Sequence, residues 1–260
     1  MRKRFQTVLF YLRLVREDLR VRYSGTFFGV LWAYALPLLT LFVFWFVFQM
    51  GFRNEPVIGV PYILWFASAY VPWIFFTDIV TQGGGVFLEY SYLVKKIRFS
   101  VSLLPLVKAG TAVFIHLPFL LFLVLLAVWY DYPLPIGFVW IFYYLLLALF
   151  LGSILAYLVA TITVFFRDMQ MVVSLLIQIG FWITPILWDA EHMGNETVGR
   201  ILSVFPMYYI AHGYRACVLY GKAPDLRSPS ALLFFLECGA CLLITVVIYR
   251  RLRPYLADEV

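Results

Sequence analysis

Six apolar stretches, at residues 27–50, 60–82, 103–130, 136–166, 169–188 and 230–249, occupy 146 of the 260 residues and constrain this chain more than any other feature. Each reaches the roughly 20 residues that a helix needs to cross the hydrocarbon core of a bilayer. Inside lipid every backbone N–H and C=O must find a partner within its own segment, so runs of this length form helices. The expected fold is therefore all-α and integral to the membrane, a single domain of six transmembrane helices spanning residues 1–260. With 64% hydrophobic and only 13% charged residues, no soluble second domain has room.

The loops orient the bundle. When alternate loops are assigned to opposite sides, one side holds 15 Lys and Arg and the other 5. Basic loops stay in the cytoplasm, so both termini are expected inside. Trp65, Trp129, Trp140 and Trp188 fall near the predicted outer ends, where an aromatic belt would stand. The net charge of +6 sits at helix ends rather than in a patch, which suits orientation and not nucleic-acid binding. No cleavable signal is visible, because seven basic residues precede the first long apolar run.

Three loop regions are unusual. In residues 1–26, Phe5, Val8, Leu9, Leu12, Val15 and Leu19 recur at helical spacing among basic residues. This predicts an amphipathic helix lying on the membrane face, the alternative being a solvated basic tail. Residues 83–102 open with Gly83, Gly84 and Gly85, which are expected to release the chain from the second span. A short, partly apolar and basic segment follows, suited to docking a soluble partner or simply to holding the loop inside. Residues 189–229 are too apolar for a free loop and too short to span. They predict short re-entrant helices on the outer side, broken at Pro206.

Chemistry is sparse. There is no phosphate-binding Gly-x-x-x-x-Gly-Lys-Ser/Thr, no dinucleotide fingerprint, no His-Glu-x-x-His and no serine elbow. Cys217, Cys238 and Cys241 have neither disulfide nor metal-site spacing, so no metal is expected. The ionisable residues within or beside spans are Asp78, Lys108 and Glu237, the first two placed to snorkel or to pair with each other. Aromatic residues make up 20% of the chain. Phe28, Trp32, Phe42 and Phe46 share the first span, and Phe181 and Trp182 lie in the fifth. Such rings can stack on sugars or simply pack against lipid and neighbouring helices.

The order of several motifs resembles the membrane subunits of type-2 ABC exporters, specifically the O-antigen and related polysaccharide permeases. The resemblance rests on Tyr23-Ser24-Gly25-Thr26-Phe27-Phe28-Gly29-Val30-Leu31-Trp32 after a basic interfacial segment. It continues with Leu93-Val94-Lys95-Lys96-Ile97-Arg98-Phe99 ahead of Leu104-Pro105, then Phe166-Arg167-Asp168, Thr184-Pro185-Ile186, and Pro206, Tyr209, Tyr214 and Arg215. Phe205 stands where that family often has Asn, and Ser100 where a proline often follows the Lys-Lys pair.

The resemblance implies two copies of the chain around a central path, each bound to an ATP-binding cassette subunit that carries the ATP and magnesium. This chain would be no enzyme and would hold no cofactor itself. It implies ATPase coupling by Leu88, Glu89, Tyr92, Leu93, Lys95, Lys96 and Arg98 and by the Arg167-Asp168 turn. It further implies a path for lipid-linked polysaccharide lined by Phe28, Trp32, Phe42, Phe181 and Trp182, and an outer gate at Pro206, Tyr209, Tyr214 and Arg215. The competing readings are the same fold exporting a drug or small lipid, a membrane enzyme acting on a lipid or sugar-phosphate, and an ion-coupled transporter. Clustered intramembrane carboxylates, His or Cys would favour the enzyme, and internal repeats the ion-coupled transporter.

Overall fold

The structure, a computed structural model, describes residues 2–51, 59–91, 101–188 and 202–256, and all regular structure among them is helical. Helix α1 (Arg2–Tyr23) is followed by α2 (Trp32–Trp45), which continues as a π-helical turn over Phe46–Gly51. Then come α3 (Tyr62–Gly84), the short α4 (Val86–Glu89), α5 (Leu104–Trp129), α6 (Ile141–Phe165), α7 (Met169–Ile183), α8 (Pro206–Tyr220) and α9 (Pro229–Leu252). Five helical stretches are long and apolar enough to cross a membrane: Gly29–Gly51, Tyr62–Gly84, Leu104–Trp129, Ile136–Phe165 and Pro229–Tyr255. The protein is thus a multi-pass membrane protein.

The fifth expected span, 169–188, is shorter than its apolar run. Helix α7 has 15 residues, about 22 Å at 1.5 Å per residue, and stops where Thr184 turns extended before Pro185.

Helix α3 is the axis of the bundle. Of its apolar window 78% is buried, against 6% for the first span and 22% for the last. It packs on α6, α5, α8, α2 and α7. Small residues permit the closest of these approaches, because helix association in lipid depends on packing rather than on water exclusion. A Cβ added at Gly83 would lie 2.6 Å from Ala156 Cβ, one added at Gly84 2.5 Å from Val159 Cγ1, and one at Gly152 3.1 Å from Ile79 Cγ2. The glycine triplet therefore does not release the chain. Helix α3 runs through Gly84, and Gly85 leads directly into α4. Close helix contact outweighs the low helical propensity of glycine here. Gly83→Leu should destabilise the protein by about 1–3 kcal/mol, since the Ala156 Cβ is bonded directly to its Cα and cannot rotate aside. Thermal unfolding in detergent would measure it, and an unchanged midpoint would refute the tight α3–α6 seam.

Helix α1 lies against α5, its Tyr11 hydroxyl donating to the Leu106 carbonyl at 2.8 Å. Val15 and Asp18 turn inward while Arg13, Arg16, Glu17 and Arg20 stay exposed. The turn into α2 needs left-handed backbone at Gly25 (φ 80°) and Gly29 (φ 52°), which glycine adopts without a Cβ clash. Beside α4, Val86, Phe87, Leu104, Ala160, Val164 and Leu256 close a second small core at the α1 end of the bundle.

At the opposite end, Pro206 does not break a helix but opens one. It occupies the first turn of α8, where its missing N–H is no loss and its fixed φ suits the helix. Helix α8 is buried against α3 and α6 and ends at Gly221 in left-handed conformation. Of the expected outer region, residues 189–201 lie outside the described residues. Trp129 and Trp140 are exposed as a belt requires, but Trp65 is buried, roofed by the Arg215 guanidinium 3.6 Å from its ring centre.

Candidate functional site

Between α2, α3, α5 and α7 the helices leave a crevice of about 880 Å³. Its walls are aromatic: Trp32 and Phe44 from α2, Tyr70 and Trp73 from α3, Phe119 from α5, and Phe181 and Trp182 from α7. Phe181 is the hub. Its ring centre lies 5.7 Å from Phe44, 6.0 Å from Trp73, 6.2 Å from Tyr70 and 5.6 Å from Trp182. These are spacings at which tilted and edge-on aromatic contacts are favourable. Thr40, Thr77, Thr81, Gln82, Gln178 and His116 supply polar atoms on the same walls. His116 is buried and shares a 3.1 Å hydrogen bond with the Tyr214 hydroxyl. Apolar faces with scattered hydroxyls and amides suit a large amphipathic solute, such as one carrying sugar rings.

Of the five expected path residues the crevice gathers Trp32, Phe181 and Trp182. Phe28 and Phe42 stand outside it: both are exposed, Phe28 edge-on to Trp32 at 5.5 Å and Phe42 beside Trp45 at 5.7 Å. Sequence reasoning passed over Tyr70, Trp73, Thr77 and Thr81. Their spacing of three to four marks one stripe along the second span, and polar residues on a stripe of a membrane helix are a usable signal.

At the α1 end of the crevice, Arg22 holds Asp78 with its two terminal guanidinium nitrogens, the longer bond being 3.0 Å. Burial disfavours the Arg22 charge, but the hydrogen bond and charge of Asp78 more than offset this and hold its pKa above the ordinary value. Asp78 and Lys108 therefore do not pair with each other. Each is claimed by a residue on another element.

Lys108 sits at the centre of a second cluster, where its Nζ lies 2.7 Å from Asp18 Oδ1 and 2.8 Å from both carboxylate oxygens of Glu89. The Tyr90 hydroxyl donates to Asp18 Oδ1 and the Thr111 hydroxyl to Asp18 Oδ2, each at 2.7 Å. Asp18 and Lys108 are buried, and Glu89 is half-exposed. Helices α1, α4 and α5 thus meet in one ionic network. Asp18 and Arg22 lie four residues apart on α1, and the sequence reading passed over Asp18 altogether.

The expected coupling residues divide. Leu88 and Glu89 belong to α4, and with Gln82, Gly85, Gln170 and Ser174 they line a cavity of about 440 Å³ between α3, α4, α6 and α7. Arg167 and Asp168 are exposed at the turn just before α7, where the Asp168 carbonyl accepts from the Met171 and Val172 amides. No ion pair joins Arg167 to Asp168 among the described residues. Tyr92, Leu93, Lys95, Lys96 and Arg98 lie outside the described residues.

The expected outer-gate residues all belong to α8, and none lines the crevice. Tyr209 and Tyr214 are buried; Tyr209 packs on Tyr144 and Phe234, and Tyr214 reaches His116. Arg215 donates to the carbonyls of Trp65 (3.2 Å), Pro185 (3.0 Å) and Ile186 (3.0 Å). No group of three His, Cys, Asp or Glu among the described residues is placed to hold a metal ion.

Comparison with known proteins agrees with this architecture. The sequence model of the ABC-2 type transporter family matches residues 10–219. The chain is 28% identical over 229 residues to the O-antigen export system permease protein RfbA of Myxococcus xanthus, covering 85% of this chain and 84% of the relative. Two RfbA permease proteins of Klebsiella pneumoniae are 28% identical over 217 residues and 27% over 215, each covering 80% of this chain and 79% of the relative. With the family match extending from α1 to the end of α8, this chain belongs to the ABC-2 type transporter membrane family.

Proposed function

We propose that this chain is the permease subunit of an ATP-driven exporter that moves lipid-linked polysaccharide of the O-antigen type across the cytoplasmic membrane. The observation that carries the reading is the aromatic crevice, in a chain aligned over about four-fifths of its length with permeases named for O-antigen export. Tyr and Trp faces beside Thr and Gln side chains offer what a glycan takes: flat apolar surface for ring faces and polar atoms for hydroxyls. The lipid tail would stay in the bilayer while the sugar follows the crevice.

Two copies pair in this reading, each with one ATP-binding cassette subunit, and both termini lie in the cytoplasm. Helices α2 and α7 expose Leu36, Leu39, Phe42, Val43, Leu175, Leu176 and Ile179 beside the crevice, the surface a second copy would share with lipid. The ATPase docks on α4, the residues that follow it, and the Arg167-Asp168 turn. ATP and magnesium belong to that partner.

The test is reconstitution of this chain with its ATPase subunit and measurement of lipid-linked glycan export. Trp182→Ala and Trp32→Ala should each reduce export about five- to tenfold, the loss of roughly one stacked ring, while the complex still assembles. Full export by both variants, or export of a small lipid with no response to glycan, would overturn the reading.

A further inference from the structure

Three elements that the sequence separates converge on one ammonium group. Lys108 Nζ, in the first turns of α5, is within 2.8 Å of carboxylates on α1 (Asp18) and at the end of α4 (Glu89). Tyr90, the residue after α4, reaches across to Asp18 as well, at 2.7 Å. A buried lysine with two carboxylates is not an ordinary helix-end anchor. An anchoring lysine snorkels to water, whereas the Lys108 side chain is 2% exposed. Nor is such a cluster needed for stability alone, because well-packed apolar residues serve a buried site at least as well. What ionic contacts add is geometric definition: a rigid, directional link between parts that otherwise touch through few atoms. Helix α4 has only four residues, and Val86 and Phe87 supply its buried apolar contact.

We propose that Asp18, Lys108 and Glu89 form an ionic clamp that makes α1 and α4 move as one body, so that a push on α4 is delivered to α1. From α1 the displacement reaches the crevice directly, because Arg22, one turn beyond Asp18, is bonded to Asp78, and both line the crevice. The three residues are positioning residues that convert movement of the docking segment into opening at the Arg22–Asp78 end. This rests on the reading that α4 belongs to the ATPase-docking segment.

The test uses the reconstituted complex of permease and ATPase subunit. Glu89→Gln removes the charge of the half-exposed arm of the clamp and leaves the buried Asp18–Lys108 pair intact, so the fold is retained. A second variant, Asp18→Asn with Lys108→Met, removes both buried charges together. In the double variant, whose residues lie outside the docking segment, ATP hydrolysis and subunit association should persist while glycan exported per ATP hydrolysed falls about tenfold, and in Glu89→Gln the same ratio, taken per assembled complex, should fall as far. Spin labels at Glu17→Cys and Ser91→Cys should keep a constant separation through the ATP cycle in the parent and a changing one in Glu89→Gln, a readout that a purely structural role would not move. Parental coupling and constant separation in both variants would overturn the clamp. If the parent chain neither binds an ATPase subunit nor exports glycan, the functional reading itself fails, a distinguishable result.

Discussion

Replacing Arg215 with methionine should lower the thermal midpoint of the purified protein by roughly 10 °C, corresponding to about 3–5 kcal/mol at some 2–4 °C per kcal/mol for a chain of this size. The argument is local. Arg215 is 7% exposed, and its guanidinium donates to the carbonyls of Trp65, Pro185 and Ile186 while lying over the Trp65 ring. The Ile186 carbonyl and its neighbour follow the extended Thr184 that ends α7, so the helical ladder does not supply their partners. Methionine fills much of the volume but leaves those acceptors buried and unmet, which is the expensive half of a lost hydrogen bond. Arg215→Lys should fall between, since one ammonium cannot reproduce the planar fork or the stacking. Because the contacts tie α8 to both α3 and the end of α7, limited proteolysis at the end of α7 should accelerate in step. A midpoint within 2 °C of the parent in Arg215→Met would show that α8 is held by its apolar face alone.

Arg215 also illustrates what the sequence could and could not disclose. Its place in an apolar outer segment was legible, and so was the bundle of long apolar helices, because lipid enforces both through backbone hydrogen bonding. Where each side chain points was not. Trp65 and Trp129 read alike as belt residues; one is covered by Arg215 and the other is exposed, a difference made by helix α8 packing from 150 residues away. The glycine triplet read as a loosening signal, since propensity is local, whereas Ala156 and Val159 across the seam give it the opposite role. For the crevice, the aromatic stripes of the first and fifth spans were visible as Trp32, Phe181 and Trp182. The contribution of α3 was not, because a helix buried almost all round shows little apolar periodicity to read. The ionic partners were least legible. Asp18 and Lys108 are 90 positions apart, and nothing in composition selects that pairing over Asp78 with Lys108.

That pairing carries the second large effect. Lys108→Met alone should destabilise the protein by about 3–5 kcal/mol, because it strands the Asp18 carboxylate, whose side chain is 1% exposed, with only the Tyr90 and Thr111 hydroxyls and turns Glu89 into a repelling neighbour. Adding Asp18→Asn to the same chain should recover most of the loss. The amide still bonds both hydroxyls, and a neutral pair of similar volume carries no uncompensated charge. Glu89→Gln should change stability by less than about 1 kcal/mol, since its carboxylate is 45% exposed and water replaces the lost contact. The order of the three midpoints is the informative result: Lys108→Met lowest, the double variant well above it, Glu89→Gln close to the parent. Equal losses in Lys108→Met and the double variant would mean that lysine packing, not charge, holds the site. With the expected order, α1 is joined to α4 and α5 through charge, and Glu89 becomes the one member that can be released without loosening the fold around it.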